Sequence, residues 1–283
     1  MKLNEFIQKY NLSYISSRAN PRIVDAGKLN EKKYRDREET FLADGSKLAA
    51  EAVKYAEPRA LYVSETSAAD FEEIIADYVD AGVPVFVVAD GAFEKISTEK
   101  SPEGIIAALA YMTGLQIRES IDSGSISNFD DWQNGKRLIM LDGIRDPGNL
   151  GTILRTAEAM GMDGVILSDC ADIYNRKTVR AAMGTIFRIP LYITSSPVNI
   201  IEKMKGEGRR VIAAALGDNT LELGKYEISA SDCPIIGNEG HGLSETIIGA
   251  CGECVKIPMH GKTESLNAAS AATAIMWEYC RNI

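Results

Sequence analysis

Two histidines, two tryptophans and five cysteines are all that 283 residues contain of the types that build metal centres, aromatic platforms and disulfide frameworks. An odd cysteine count in a chain of this length argues against a disulfide scaffold and for reduced thiols. Cys251 and Cys254 form a C-x-x-C, but zinc needs two further ligands and only His241 and His260 stand nearby in sequence, so no metal is expected. Long apolar runs are missing too. Residues 83–89 and 105–112 fall far short of the ~18 that span a membrane. The opening Met1-Lys2-Leu3-Asn4-Glu5 has no secretory apolar block, which predicts a cytoplasmic protein. Neither G-x-G-x-x-G nor G-x-x-x-x-G-K-[ST] occurs, which counts against a nucleotide-dependent oxidoreductase or a P-loop enzyme. Positive charge is also short: 31 Lys and Arg face 40 Asp and Glu, a net charge of −9. The surface as a whole therefore does not attract nucleic acid.

What is present is ordinary globular material, 45% hydrophobic and 25% charged. The length predicts two domains. Charge is unevenly spread, because residues 16–37 hold seven cations (Arg18, Arg22, Lys28, Lys32, Lys33, Arg35, Arg37) against Asp25, Glu31 and Asp36. This island reads either as a solvated loop and helix start or as a local RNA-binding patch.

Hydrophobic periodicity predicts a helix over residues 41–56 (Phe41, Leu42, Leu48, Ala49, Ala52, Val53), stopped by Pro58, and strands at 60–63, 83–89 and 104–112. A helix at 71–80 separates the first two strands. The period dissolves into Ser, Gly, Asn and Asp after Gln116, giving domain 1–118, linker 119–135 and domain 136–283. The second domain reads as strands at 137–141, 164–167, 210–216, 233–236 and 254–257, with helices at 150–160, 179–183 and 266–280. Apolar strands alternating with helices predict an α/β fold with a mostly parallel sheet.

Three segments follow strands of that domain, where ligands of open α/β sheets bind. Asp146-Pro147-Gly148-Asn149-Leu150-Gly151 leads into a helix carrying Arg155, and reads as a tight turn or an anion site. Gly237-Asn238-Glu239-Gly240-His241-Gly242 is a glycine-rich turn or a close approach of backbone to a ligand. Ile257-Pro258-Met259-His260-Gly261 runs to Ser265-Leu266-Asn267, where Ser265 sits as an N-cap for the last helix.

In this order the three segments resemble the signature motifs of the SpoU/TrmH family of the SPOUT superfamily, the RNA ribose 2′-O-methyltransferases. D-P-x-N-x-G-x-x-x-R-T-A is met by residues 146–157, G-x-E-x-x-G by Gly237, Glu239 and Gly242, and I-P-M-x-G-x-x-x-S-L-N by residues 257–267. Upstream, Phe41-Leu42-Ala43-Asp44-Gly45 and Ser101-Pro102-Glu103-Gly104 resemble the L30e-like substrate-binding domain that precedes many SpoU domains, and Lys32-Lys33-Tyr34-Arg35 its basic entry.

The resemblance implies a C-terminal trefoil knot, S-adenosyl-L-methionine as cofactor, an RNA substrate, most readily ribosomal RNA of the 23S type, and a homodimer with no membrane partner. It implies catalytic roles for Arg155, Asn149, Glu239, Ser265 and Asn267, with Glu239 and Asn149 orienting Arg155 and Ser265 and Asn267 holding the ribose. Gly237, Asn238, Ile257, Met259 and Leu266 are implied at the cofactor, and Arg18, Arg22, Lys32, Lys33 and Arg35 at RNA. Arg155 stays open between a general base and a clamp on phosphate and alkoxide. Two alternatives stand beside this: a tRNA 2′-O-methyltransferase, and a SPOUT-fold protein that holds RNA without methylating it.

Overall fold

A computed structural model describes residues 3–112, 117–118, 137–216, 220–225, 228–229, 231–263 and 265–281. The chain divides into two compact units, Met1–Met112 with Tyr174–Phe187, and Thr113–Ile173 with Arg188–Ile283. The expected linker, 119–135, lies outside the described residues.

The first unit is built on a mixed five-stranded sheet in the order β1-β4-β3-β5-β2. Its strands are β1 (Ser13–Ile15), β2 (Thr40–Asp44), β3 (Pro58–Ser64), β4 (Val85–Val88) and β5 (Ile105–Ala110). The helix expected over 41–56 is two elements. Phe41 and Leu42 belong to β2, antiparallel to β5, and the helix starts only at Ser46. Gly45, at φ +104°, makes the break between them, a conformation that a side chain resists. Pro58 opens β3 rather than merely ending the helix before it. Four elements near the N-terminus carried no clear period: β1 and the short helices Leu3–Lys9, Pro21–Lys28 and Lys32–Glu38. Ile15, Ile23, Leu42, Tyr62, Phe86, Val88, Phe93 and Ile106 form the core on one face of the sheet.

This unit also takes a stretch that sequence assigns to the other domain. Tyr174 stacks on Tyr111 at 3.8 Å and 10° and meets Phe41 at 4.8 Å. Arg176, 8% exposed, pairs with both carboxylate oxygens of Asp44 and donates to the Asn30 side-chain oxygen at 2.7 Å and to the Ile96 carbonyl. A buried guanidinium needs this saturation of its donors.

The second unit holds an eight-stranded sheet whose neighbouring strands are all parallel, in the order β11-β13-β10-β12-β7-β8-β9-β6. The central strands β7 (Leu138–Asp142), β8 (Gly164–Ser168), β10 (Val211–Ala214) and β12 (Cys233–Ile236) are apolar and buried, as a sheet covered on both faces requires. The others are β6 (Ile117–Arg118), β9 (Leu191–Thr194), β11 (Thr220–Glu222) and β13 (Glu253–Lys256). The chain steps from β7 to β8 to β9 in one direction, and later places β12 on the other side of β7. That reversal, between β7 and β12, is where open α/β sheets leave a crevice at their carboxyl ends. Helices Pro147–Ala159 and Ala268–Cys280 pack on each other beside it.

Candidate active site

Local chemistry fixes each loop of the crevice. The helix after β7 begins at Pro147, three residues earlier than periodicity suggests, because Asp146 caps it by accepting the Asn149 N–H at 2.8 Å, with Pro147 in the first turn. Asn149 is therefore on the helix, not in the loop. After β12, the chain folds back so that Asn238 and Gly242 exchange backbone hydrogen bonds of 3.1 and 2.9 Å. The last helix starts at Ala268, and its cap is Asn267, whose side-chain oxygen accepts the Ala269 N–H at 2.8 Å. Ser265, the expected cap, lies two residues too early and instead lines the cleft.

The three loops meet through side chains. Asn267 Nδ2 donates to Asn149 Oδ1 at 3.0 Å, and Asn149 Nδ2 donates to Glu239 Oε1 at 2.9 Å. The Arg145 N–H approaches the other Glu239 oxygen at 3.4 Å. Direction is unambiguous here. The cap consumes the oxygen of Asn267, so its amide must donate, which turns the amide of Asn149 toward the carboxylate. Partial burial works against the charge of Glu239, but the Asn149 amide and the N–H groups around it outweigh this and hold its carboxyl below the usual range.

Beside this wall opens a cleft of about 640 Å³. All five expected cofactor residues, Gly237, Asn238, Ile257, Met259 and Leu266, line it, with Glu239 and Ser265. Sequence reasoning missed Leu216, 76% exposed at the cleft, and the neighbouring Ala214 and Ala215. Their signal was their place at and just past the end of a parallel strand. It also missed Gly143, whose carbonyl accepts from Asn238.

Other expected placements change. The need for glycine at 237 comes from the protein itself, since a Cβ there would lie 2.5–2.7 Å from the backbone of Gly242 and Leu243. Arg155 is exposed on the helix Pro147–Ala159 and is absent from the cleft lining. Among the described residues, no hydrogen bond joins it to Glu239 or Asn149, whose polar atoms are taken by each other and by Asn267 and Arg145. Cys251 and Cys254 are buried, and burial pushes the Cys251 thiol up to about 12.

The basic island is largely neutralised. Arg18 pairs with Glu94, Lys28 with Asp25, Lys32 with Asp36, Lys33 with Glu31 and Arg37 with Glu38, at 2.6–2.9 Å. Arg22 lies over the Phe86 ring at 4.7 Å. Arg35 is 3% exposed and donates to the Leu29 and Asn30 carbonyls at 2.8 and 2.9 Å, so it cannot be the RNA contact expected of it.

Residues 136–277 match the SpoU rRNA Methylase family, and residues 20–107 an MRM3-like substrate binding domain. The chain belongs to the SpoU rRNA methylase family. It is 32% identical over 267 residues, 94% of its length and 98% of the other, to the 23S rRNA (guanosine(2553)-2′-O)-methyltransferase RlmP of Bacillus subtilis (strain 168). An AdoMet-bound rRNA methyltransferase from Sinorhizobium meliloti superposes with a TM-score of 0.80 at 28% identity, covering 96% of this chain and 98% of that one. The fold is shared by the SpoU methyltransferase AviRb from Streptomyces viridochromogenes in complex with AdoMet, at 24% identity, a TM-score of 0.76 and coverage of 93% and 98%.

The family member is an RNA 2′-O-methyltransferase with S-adenosylmethionine as methyl donor. The cleft suits that cofactor. Its volume falls within the roughly 300–1,000 Å³ of small-molecule sites. Ile236, Leu216 and Ala268 offer apolar wall, and the backbone of Gly237, Gly240 and Gly242 lines it without side chains.

Proposed function

We propose that the enzyme methylates a ribose 2′-hydroxyl of large-subunit ribosomal RNA. The observation that carries this reading is the convergence of Asn149, Glu239 and Asn267 from three separate loops on one wall of a cleft of cofactor size. Bound S-adenosylmethionine supplies an electrophilic methyl on a sulfonium, so the protein's task is to align the hydroxyl and stabilise its oxygen as the proton leaves. The backbone of Gly237, Ile257 and Leu266 would hold the cofactor.

Arg155 fits the task of gripping the target phosphate and the developing alkoxide. The planar fork of N–H donors on a guanidinium, which has no acceptor, suits a clamp on oxyanions. Glu239, held ionised, orients the Asn149 amide. Ser265 offers a hydroxyl to the ribose, and Asn267, fixed by the helix cap and by Asn149, keeps one amide hydrogen for it.

The similarity to an enzyme named for guanosine 2553 of 23S rRNA supports the same class of target here. A homodimer belongs to this reading. Trp277, 57% exposed, stands with Ser270, Thr273 and Ala274 of the last helix, beside Leu223 and Pro258, on an open, mostly apolar face that a second copy would cover. The trefoil knot and a cytoplasmic location complete it.

The test is methyl transfer from labelled S-adenosylmethionine to 23S rRNA, 16S rRNA and tRNA, with modified positions mapped by resistance to alkaline cleavage. Labelling of 23S rRNA alone is the expected result. Labelling of tRNA alone would move the enzyme to the tRNA class, and tight RNA binding without labelling would make it a non-catalytic binder.

A further inference from the structure

Asn238 spends both lone pairs of its amide oxygen and one of its two amide hydrogens within the protein. Its Nδ2 donates to the Gly143 carbonyl at 2.7 Å, and its Oδ1 accepts the N–H groups of Gly240 and His241 at 2.8 and 3.1 Å. Gly143 follows β7 and Asn238 follows β12, and the two strands pair directly through Ile236 and Leu141. The amide therefore stitches together two loops at the point where the strand order reverses.

We infer that Asn238 is a positioning residue: it pins the β12 loop to the β7 loop and so sets Glu239 against Asn149, and its side chain does not bind the cofactor. This rests on the methyltransferase reading of the site. The geometry is specific to asparagine. The same group must give a hydrogen to a carbonyl and receive two from N–H groups, which an amide does and a carboxylate does not. Gly143, at φ +71°, turns its carbonyl to meet the amide, and a Cβ built on Gly143 would lie 3.5 Å from that of Asn238. One residue further on, Glu239 lands between Asn149 Nδ2 and the Arg145 N–H. Releasing the pin frees Glu239 to shift by a fraction of an ångström, while the backbone pair between Asn238 and Gly242 still holds the turn that lines the cleft.

Two substitutions separate the possibilities in the full-length enzyme. Asn238→Asp keeps the acceptor for Gly240 and His241 but sets a carboxylate oxygen against the Gly143 carbonyl. Asn238→Ala removes both contacts. Hydrogen exchange of the protein without cofactor should show Gly240 and His241 amides protected in wild type and Asn238→Asp and unprotected in Asn238→Ala. Both variants should lose about 10–100-fold in kcat, the scale of a small misplacement, while S-adenosylmethionine binding by calorimetry moves less than about threefold. Cofactor affinity falling as far as kcat would overturn the inference and make Asn238 a direct ligand. Unchanged kcat in both variants would overturn it as well, leaving Asn238 a turn residue. If wild type methylates no RNA, the function proposed above fails instead, and exchange protection together with cofactor affinity still decides whether the pin exists.

Discussion

Arg155 and the cations of residues 16–37 carry the same charge in opposite circumstances. Each exposed lysine or arginine of the island has a carboxylate or an aromatic ring within reach, and Arg35 is buried against backbone carbonyls. Arg155 stands exposed on a helix whose neighbouring loops hold the candidate site. Counting charge along the sequence made the island conspicuous and Arg155 one residue among many. Pairing reverses that ranking, because an ion pair already formed must be broken before either partner can serve a phosphate.

The largest effect that would sharpen the contrast concerns Arg176, a cation wholly committed to structure. Replacing it with Met leaves the Asp44 carboxylate, 13% exposed, without its partner. Removing one member of a buried pair costs about 3–5 kcal/mol. Chemical denaturation should show a loss of that size, and a loss below about 1 kcal/mol would mean that water or neighbours replace the guanidinium.

Arg155→Ala should behave in the opposite way. Methyl transfer should fall by about 100-fold or more, the scale of a lost electrostatic contact in the transition state, with S-adenosylmethionine affinity and melting temperature nearly unchanged. Calorimetry showing lost cofactor binding would overturn the clamp role.

Arg35→Ala is the sharpest correction to what sequence suggested. As a surface cation it would be nearly neutral to stability. As a buried donor to two carbonyls just past the helix Pro21–Lys28, it should cost about 1–3 kcal/mol, with no specific effect on RNA binding. A melting temperature equal to wild type would return Arg35 to the surface set.

The pattern of what sequence revealed has a physical basis. Asn149, Glu239 and Asn267 were named from their places in the family's three motifs, each loop alone reading as no more than a turn or a cap, and a parallel sheet that gathers strand ends brings the three together. The parallel sheet itself was legible in the apolar runs of β7, β8 and β12. Partners distant in sequence were not legible. Arg18 meets Glu94 and Arg176 meets Asp44, separations of 76 and 132 residues that no local period reports. Phe41 and Leu42 were misassigned because a strand entering a helix without a loop preserves the apolar run, and only Gly45 marks the junction. The cap at Asn267 rather than Ser265 was missed because both are good caps and backbone geometry chooses between them.

The smallest expected effect tests the island itself. Changing Arg18, Lys32 and Lys33 together to Ala removes three cations but also frees Glu94, Asp36 and Glu31 from their partners. Had each cation neutralised a phosphate, the slope of log K against log salt would fall by about 0.9 per residue on duplex RNA and somewhat less on single strands. Cations that already hold carboxylates release few counterions on meeting RNA, so the slope should change by well under that amount. Stability should also move little, since exposed pairs contribute roughly 0–1 kcal/mol. RNA binding measured across a salt series for wild type and the triple variant decides the matter. A slope reduced by the full amount would show that the pairs open on contact with RNA, and the first unit's cations would then join Arg155 as groups that the substrate can claim.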